Sequence, residues 1–440
     1  MGTGTVQLLL DSVGRHPLLQ ELEIYLVGVR SLDKTRAVSL NAGVLTTDLE
    51  AVVTDPDVDI VVEVLGGLEP ARSLILKAIN HGKHVVTANK AVIARYGEEI
   101  FTAANSNSVY VLLEAAVGGG IPVIQALKQS LSVNRIQAIT GIVNGTTNYI
   151  LTAMQTEGRN FAKVLADAQQ LGYAEANPTA DVDGLDAADK IAILASLAFG
   201  GRIKLQDIYC EGIRGVNGAD IAYAQKLGFV IKLLAIAKLE PMTEARAHPS
   251  DQLQVRVHPT LVPQTHPLAS VNGVYNAILV TGEPVGQVMF FGPGAGAGAT
   301  ASAVVSDILN IVAVLKTGLN GQIQKADAAI LHPLLTDFHQ DYCGSNQEPS
   351  FSIAPMAELV TRFYARLLTQ DHPGVIGKLG TCFGNHGVSL ESIVQTGMQN
   401  HLAEIVVVTH DVREGNFRSS LEEIRTLDAV DSIPSLLRVL

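Results

Sequence analysis

Residues 58–65 read Val-Asp-Ile-Val-Val-Glu-Val-Leu, and residues 84–88 read His-Val-Val-Thr-Ala. Both runs are dense in β-branched side chains and lack the apolar–polar alternation of a strand wetted on one face. Strands of that kind are covered on both faces, as in a parallel sheet. Moving outward, EIYLVGV (23–29) and VYVLLEA (109–115) repeat the texture, with helical segments between the runs. This βα alternation predicts a doubly wound nucleotide-binding domain over residues 1–116.

Beyond it the pattern changes. GGGIPVIQALKQSL opens on glycines and becomes an amphipathic helix, and VNRIQAITGIVNG reads as a strand ending in a turn. Strand-like runs return at LQVRVHPTLV and VNGVYNAILVTGEPVGQVMFFG, so residues 117–300 are expected to form an α+β substrate-binding and dimerisation domain. The apolar helix ASAVVSDILNIVAVLK is expected to pack back on the first domain over 301–317. Residues 318–350 are polar and aperiodic, and read as a linker. Residues 351–440 carry a βαββαβ pattern, the ferredoxin-like arrangement. Within it, Asp371-His372-Pro373-Gly374 leading into a helix and the later Gly387-Val388-Ser389-Leu390 resemble the ACT domain. That resemblance implies an amino-acid effector near Asp371, His372 and Gly374. A purely structural or dimerising module fits the same pattern.

Composition narrows the function. A formal charge of −12 without a basic run argues against nucleic acid and anionic membrane as partners. Cys210, Cys343 and Cys382 are far apart and fit free thiols in a reducing compartment. No signal peptide and no run of about 20 apolar residues is read in the chain, so a soluble, cytoplasmic protein is expected.

The chemistry concentrates in residues 168–190, AQQLGYAEANPTADVDGLDAADK. Glu175, Asp181, Asp183, Asp186 and Asp189 precede Lys190. Asp186 and Lys190 are four apart, so a helix starting near Gly184 places them on one face. The apolar run IAILASLAF behind them marks that helix as buried, and a buried lysine with a carboxylate partner can be poised for proton transfer. The same spacing also describes a surface ion pair. Asn144-Gly145-Thr146-Thr147-Asn148-Tyr149-Ile150-Leu151 is a second motif, rich in groups that donate to a carboxylate or an aldehyde, or else a capped turn. Thr87-Ala88-Asn89-Lys90 ends a predicted parallel strand, the edge at which such sheets bind ligands.

Taken together, Ala-xxx-Gly-Tyr, Asn-Pro, Asp-Val-x-Gly-x-Asp-xxx-Lys and the Asn144–Leu151 octet resemble homoserine dehydrogenase, and the resemblance runs over residues 2–440. It implies reversible, NADPH-dependent reduction of L-aspartate 4-semialdehyde to L-homoserine, in threonine, methionine and isoleucine biosynthesis. Lys190, Asp186 and Lys90 would be catalytic, and which lysine moves the proton stays open. Glu175, Asp181, Tyr173, Gly145 and Thr146 would bind substrate. Gly2, Thr5, Val6, Arg30, Lys90, Gly292 and Gly294 would hold the cofactor, NADP with NAD as the alternative. Arg30 stands where an acid would read the ribose hydroxyls of NAD, and an arginine accommodates a 2′-phosphate. Glu114, with the carbonyls of Val117, Gly119 and Ile121, would hold a monovalent cation, sodium by family precedent. The family also implies a homodimer or homotetramer, with threonine as the effector.

Two departures stand out. Ala299 occupies a position where the family usually has proline. The dinucleotide fingerprint should follow a first strand, but here Gly2 fits its third glycine, so the strand and two glycines are expected to be missing. Either the chain is truncated there or Met1 replaces an upstream start. The truncated reading leaves a non-catalytic, amino-acid-sensing protein as the rival.

Overall fold

The computed structural model describes the chain apart from residues 42, 241–250 and 320–350, with side chains also left out at 317–319. The expected linker, 318–350, and Cys343 therefore fall almost wholly outside the described residues. In chain order the elements begin with α1 (Gly2–Leu10), β1 (Val27–Gly28), β2 (Leu45–Thr46), α2 (Leu49–Thr54), β3 (Ile60–Glu63), α3 (Ala71–Asn80), β4 (His84–Thr87), α4 (Lys90–Ser106) and β5 (Val111–Leu112). There follow β6 (Arg135–Ile142), α5 (Gly145–Glu157), α6 (Phe161–Gln170), α7 (Thr179–Val182), α8 (Leu185–Phe199), β7 (Tyr209–Cys210) and α9 (Gly218–Lys226). The long strands are β8 (Phe229–Glu240), β9 (Asp251–Pro263), β10 (Tyr275–Glu283) and β11 (Gly286–Pro293), and they lead into α10 (Ala297–Leu319). The C-terminal part comprises β12 (Phe351–Ile353), β13 (Val360–Thr361), β14 (Phe363–Thr369), α11 (Val375–Asn385), β15 (Leu390–Gln399), β16 (Leu402–Thr409), β17 (Val412–Arg413), α12 (Glu414–Arg425) and β18 (Val430–Val439).

The chain divides into two units, one of residues 1–139, 189–208 and 276–349, the other of 140–188, 209–275 and 350–440. In the first unit β3, β4 and β5 form a parallel sheet, with Ile60 opposite His84 and Val85 opposite Val111. Val85 and Val86 are fully buried, as their unbroken apolar run demands. β1 and β2 make a separate parallel pair. The run 23–29 is a strand only at 27–28. Upstream of it Tyr25 is exposed and donates its hydroxyl to Asp57 at 3.3 Å.

Helix α10 packs on α1, on β4 and on the 114–116 turn. Its segment 297–316 has a mean hydropathy of 1.7 and is long enough to cross a bilayer, which corrects the reading that no such run exists. Valine, isoleucine and leucine carry most of that apolar character, and Ala301, Val304, Val305 and Ile311 are buried against the unit, as in the core helix of a folded domain.

In the second unit β8 and β9 pair antiparallel from Phe229–Pro263 to Glu240–Gln252. The other edge of β9 takes β12, β7 and β18 in turn, all parallel. From β18 the order runs β14, β16, β15. With α11 and α12 this is the expected βαββαβ module. Its core is Phe363, Ala365 and Leu367 of β14 against Leu379 and Phe383 of α11 and Phe417 and Leu421 of α12. The alternation along β14 then sends Tyr364 and Arg366 to the opposite face.

Candidate active site

The second unit gathers a cluster of site residues around Asn144. β6 ends at Ile142, and Asn144 caps α5 by accepting the Thr147 N–H on Oδ1 at 2.8 Å. This is a strong N-cap, and it fixes the side chain so that Nδ2 points at the acidic loop. Nδ2 donates to Asp181 Oδ1 at 2.7 Å and to Asp186 Oδ2 at 2.8 Å. One amide thus ties the Asn144–Leu151 motif to two carboxylates about forty residues downstream. Thr146 Oγ1 donates to the Tyr173 carbonyl at 2.6 Å, and the Tyr173 ring lies 5.0 Å from that of Tyr149. Gly145 is required by space: a Cβ there would sit 2.7 Å from the Val274 carbonyl oxygen. Asp181, Asp186, Gly145, Thr146 and Tyr173 are therefore brought together. Glu175 lies exposed between α6 and α7, its carbonyl accepting from Gln169 Nε2 at 3.0 Å. Asn144 was not singled out from sequence as a site residue. Its position as an N-cap in front of Gly-Thr-Thr was the available signal.

Helix α8 carries Asp186 and Lys190 one turn apart, 8% and 9% exposed, so the buried reading of this pair holds. In the first unit Asp189 of the same helix accepts from Arg95 at 2.8 Å. Lys90 is the first residue of α4, and the end of β4 beside it is rigidly tied. Thr87 Oγ1 donates to Glu63 at 2.7 Å, Asn89 Nδ2 to the Gly67 carbonyl at 2.8 Å, and Asn89 Oδ1 accepts the Val92 N–H at 3.3 Å.

Three glycine segments of the first unit converge. A Cβ on Gly4 would lie 2.8 Å from the Ala297 carbonyl oxygen, and one on Gly119 would lie 2.5 Å from Gly294. Gly2 meets Val64, Thr5 is buried beneath the first turn of α1, and Val6 is half-buried on the same helix. A helix N-terminus flanked by backbone of this closeness suits a pyrophosphate, so these residues fit a dinucleotide. Gly292 packs on Ile121, and Gly120 N–H donates to the Pro293 carbonyl at 3.2 Å. Replacing Gly119 with alanine should destabilise the protein by about 2 kcal/mol, because φ is +60° there and the added methyl meets backbone. Thermal denaturation measures it, and an unchanged midpoint would refute the close packing. Arg30 is exposed just past β1, whereas Arg36 is taken up by its own loop, donating to the carbonyls of Ser31, Leu32 and Lys34.

Glu114 is 3% exposed. Its two oxygens accept the N–H groups of Ile124 and Gln125, each at 2.8 Å. Burial raises its pKa against those hydrogen bonds. Gly118 and Gly119, both at positive φ, turn the chain at Val117–Ile121, and the Ile121 carbonyl accepts from Val123 at 2.9 Å. Asp307 Oδ2 accepts the Glu114 N–H at 2.8 Å, and burial followed by the Glu114 charge holds Asp307 well above the usual carboxylate range. In the C-terminal module Asp371, His372 and Gly374 sit together at the β14–α11 turn. Gln395 of β15 donates to Asp371 at 3.4 Å, and Gly374 starts α11 at φ +88°.

Three family models match the chain: a homoserine dehydrogenase NAD-binding domain over 1–114, a homoserine dehydrogenase domain over 122–309 and an ACT domain over 364–429. A homoserine dehydrogenase of Synechocystis is 64% identical over 440 residues, covering 100% of this chain and 97% of its own. The chain belongs to the homoserine dehydrogenase family. It is an NAD(P)-dependent oxidoreductase, and its C-terminal βαββαβ module is an ACT domain. The Bacillus subtilis homoserine dehydrogenase is 38% identical across 100% of this chain and 96% of its own. The crystal structure of the Thiobacillus denitrificans homoserine dehydrogenase superposes with a TM-score of 0.87 at 39% identity, covering 100% of this chain and 95% of that one. A mutant archaeal homoserine dehydrogenase in complex with NADPH matches 60% of this chain and 74% of its own, with a TM-score of 0.51 and 30% identity.

Proposed function

We propose that this homoserine dehydrogenase reversibly reduces L-aspartate 4-semialdehyde to L-homoserine with NADPH, in threonine, methionine and isoleucine biosynthesis, under feedback by threonine at the ACT domain. The observation that carries the reading is the double hydrogen bond of Asn144. It gathers Asp181 and Asp186 beside the Gly145-Thr146 backbone, an arrangement suited to an amino acid with its ammonium and carboxylate. The nicotinamide supplies the hydride when bound. Lys190 delivers the proton to the new alkoxide oxygen, with Asp186 one turn earlier orienting it. Lys90, on the fixed edge of β4, holds or polarises the substrate carbonyl. Asp181 and Glu175 take the ammonium, and Thr146, Gly145 and Tyr173 line the pocket.

Gly2, Thr5, Val6, Gly292 and Gly294 cradle the cofactor, and Arg30 meets the 2′-phosphate. The NADPH complex of the archaeal relative supports that preference. Glu114 and the carbonyls of Val117, Gly119 and Ile121 suit a monovalent cation. One carboxylate already shared by two N–H groups leaves too little charge for a tightly held divalent ion. Asp371, His372 and Gly374 form the effector turn. Exposed Phe291 and Met289 on β11 support a homo-oligomer, dimer or tetramer, and the dispersed thiols support a cytoplasmic setting.

The test follows NADPH consumption with aspartate semialdehyde. NADPH should outperform NADH, and Arg30→Glu should cut kcat/KM for NADPH about tenfold or more while sparing NADH, the worth of a charge-assisted bond. Threonine should lower the rate. Turnover with NADH alone would overturn the cofactor assignment.

A further inference from the structure

Lys232 is 1% exposed on β8, under the helix that begins with Asn144-Gly145-Thr146. Its ammonium donates to Asn148 Oδ1 at 3.2 Å, the Val271 carbonyl at 2.5 Å and Asn272 Oδ1 at 3.0 Å. Asn148, on α5, in turn donates through Nδ2 to the carbonyls of Val271 and Tyr275 at 3.2 and 3.1 Å. Thr152 Oγ1, one helical turn further, accepts the Gly273 N–H at 3.2 Å. The segment 271–275 is the one whose Val274 carbonyl abuts Gly145. Lys232 therefore sits at the centre of a lock that joins α5 to the 271–275 segment, and three acceptor oxygens match three ammonium hydrogens. None of the motifs quoted from the sequence passes through β8, and no step of the proposed reaction assigns a role to a lysine there.

We propose that Lys232 is a positioning residue for substrate: through Asn148, Val271 and Asn272 it sets where α5 begins, and so where the Asn144–Thr146 edge meets the amino-acid end of the substrate. This rests on the reading of that edge as substrate-binding. The lock also depends on protonation. Burial alone lowers the Lys232 pKa from its usual 10.5 to about 8. A neutral amine has two hydrogens for three acceptors, so one contact is lost on the alkaline side.

The surrounding titratable groups do not confuse the readout. His258, on the facing strand β9, is kept neutral by burial and by the charges of Arg438 and Arg256. His266 caps the 267–270 turn, and burial lowers its pKa, away from the alkaline range. On α5, Glu157 pairs with Arg159, and Tyr149 lies tilted against Tyr173, while Tyr275, at the end of the 271–275 segment, is exposed. Asp220 of α9 is taken by Arg366 and Tyr364. The part of β6 in this unit, 140–142, has no titratable side chain.

The test measures steady-state homoserine oxidation with NADP on the full chain for wild type, Lys232→Met and Thr146→Val. Lys232→Met should raise KM for homoserine about tenfold, with KM for NADP within about twofold, the loss of one buried hydrogen-bonded contact. Thr146→Val should also raise the homoserine KM. If Thr146→Val acts and folded Lys232→Met does not, the positioning role is overturned while the substrate edge stands. If Thr146→Val has no effect, the substrate edge itself is wrong and the Lys232 role falls with it. Asn272→Asp decides the matter even where Lys232→Met does not fold. A carboxylate beside Lys232 should push the alkaline rise of the homoserine KM upward by about one pH unit or more. The substrate's own amine titrates alike in both proteins, so the difference belongs to the lysine. An unshifted profile overturns the proposal.

Discussion

Replacing Lys190 with methionine lowers kcat about a thousandfold, while KM for NADPH stays near the wild-type value. The magnitude is that of a removed general acid, which contributes roughly 10²–10⁴ in rate. The geometry favours this lysine for the role. It lies on α8, 9% exposed, one turn from Asp186, whose Oδ2 is held by Asn144 at 2.8 Å. Burial of that kind restricts the positions its ammonium can take. Lys90 differs. It is the first residue of a helix at the edge of a sheet, half-buried, where it can bind charge. Lys90→Met should therefore act mainly on the semialdehyde KM. Steady-state rates in both directions, with circular dichroism as a control for folding, separate the two. A folded Lys190→Met enzyme that keeps a tenth of wild-type kcat would remove Lys190 from the proton step. Lys190→Arg should not rescue it, since a guanidinium does not give up its proton near neutral pH.

The parts of this molecule that were legible in sequence are those encoded locally. β3 and β4 announce themselves by unbroken Val and Ile, α8 by its apolar run, and the C-terminal module by strands and helices of ordinary length. LVGV within 23–29 looks like any buried strand in sequence, yet only two of its residues pair. β2 is invisible in the sequence, since a two-residue strand has no period to detect. In the site, the acids and the lysine were visible because they crowd into one segment. The groups that hold them were not. Asn144 meets Asp181 across 37 positions, and Lys232 meets Asn148 across 84. A polar residue inside an apolar strand, such as the lysine of FVIKLLAIAKLE, signals that a partner exists and says nothing of where. The same holds for the seam between the ACT domain and the rest of its unit, where alternation along β14 marks Arg366 as facing away from the module's core without naming its partners.

That seam gives the largest expected change in stability. Arg366 is 2% exposed; Nε donates to Asp220 Oδ1 of α9 at 2.7 Å and a terminal nitrogen to Glu404 of β16 at 2.9 Å. Tyr364 donates to Asp220 at 3.2 Å and Tyr223 to Glu404 at 2.5 Å. Arg366→Met fills much of the same volume but strands two buried carboxylates without their cation. Breaking a buried pair in this way costs roughly 3–5 kcal/mol, because the charge left behind stays desolvated. Denaturant unfolding, followed in the presence of a fixed concentration of cofactor, should show that loss in the transition that includes the ACT domain. The triple replacement Asp220→Leu, Arg366→Met, Glu404→Leu should recover most of it, since an apolar cluster of similar size replaces an ion cluster at little net cost. The triple variant would then separate stability from communication. With the charges gone and the fold kept, a response to threonine that persists would show that it does not need this ion cluster, since the parallel pairing of β18 with β9 at Arg438–Thr260 and Val439–Leu261 is untouched. A single variant losing less than about 1 kcal/mol would show that Asp220 and Glu404 reach water, and that the seam is held by its other contacts, the β18–β9 pairing and the Arg438 bonds to Glu211 and Tyr209.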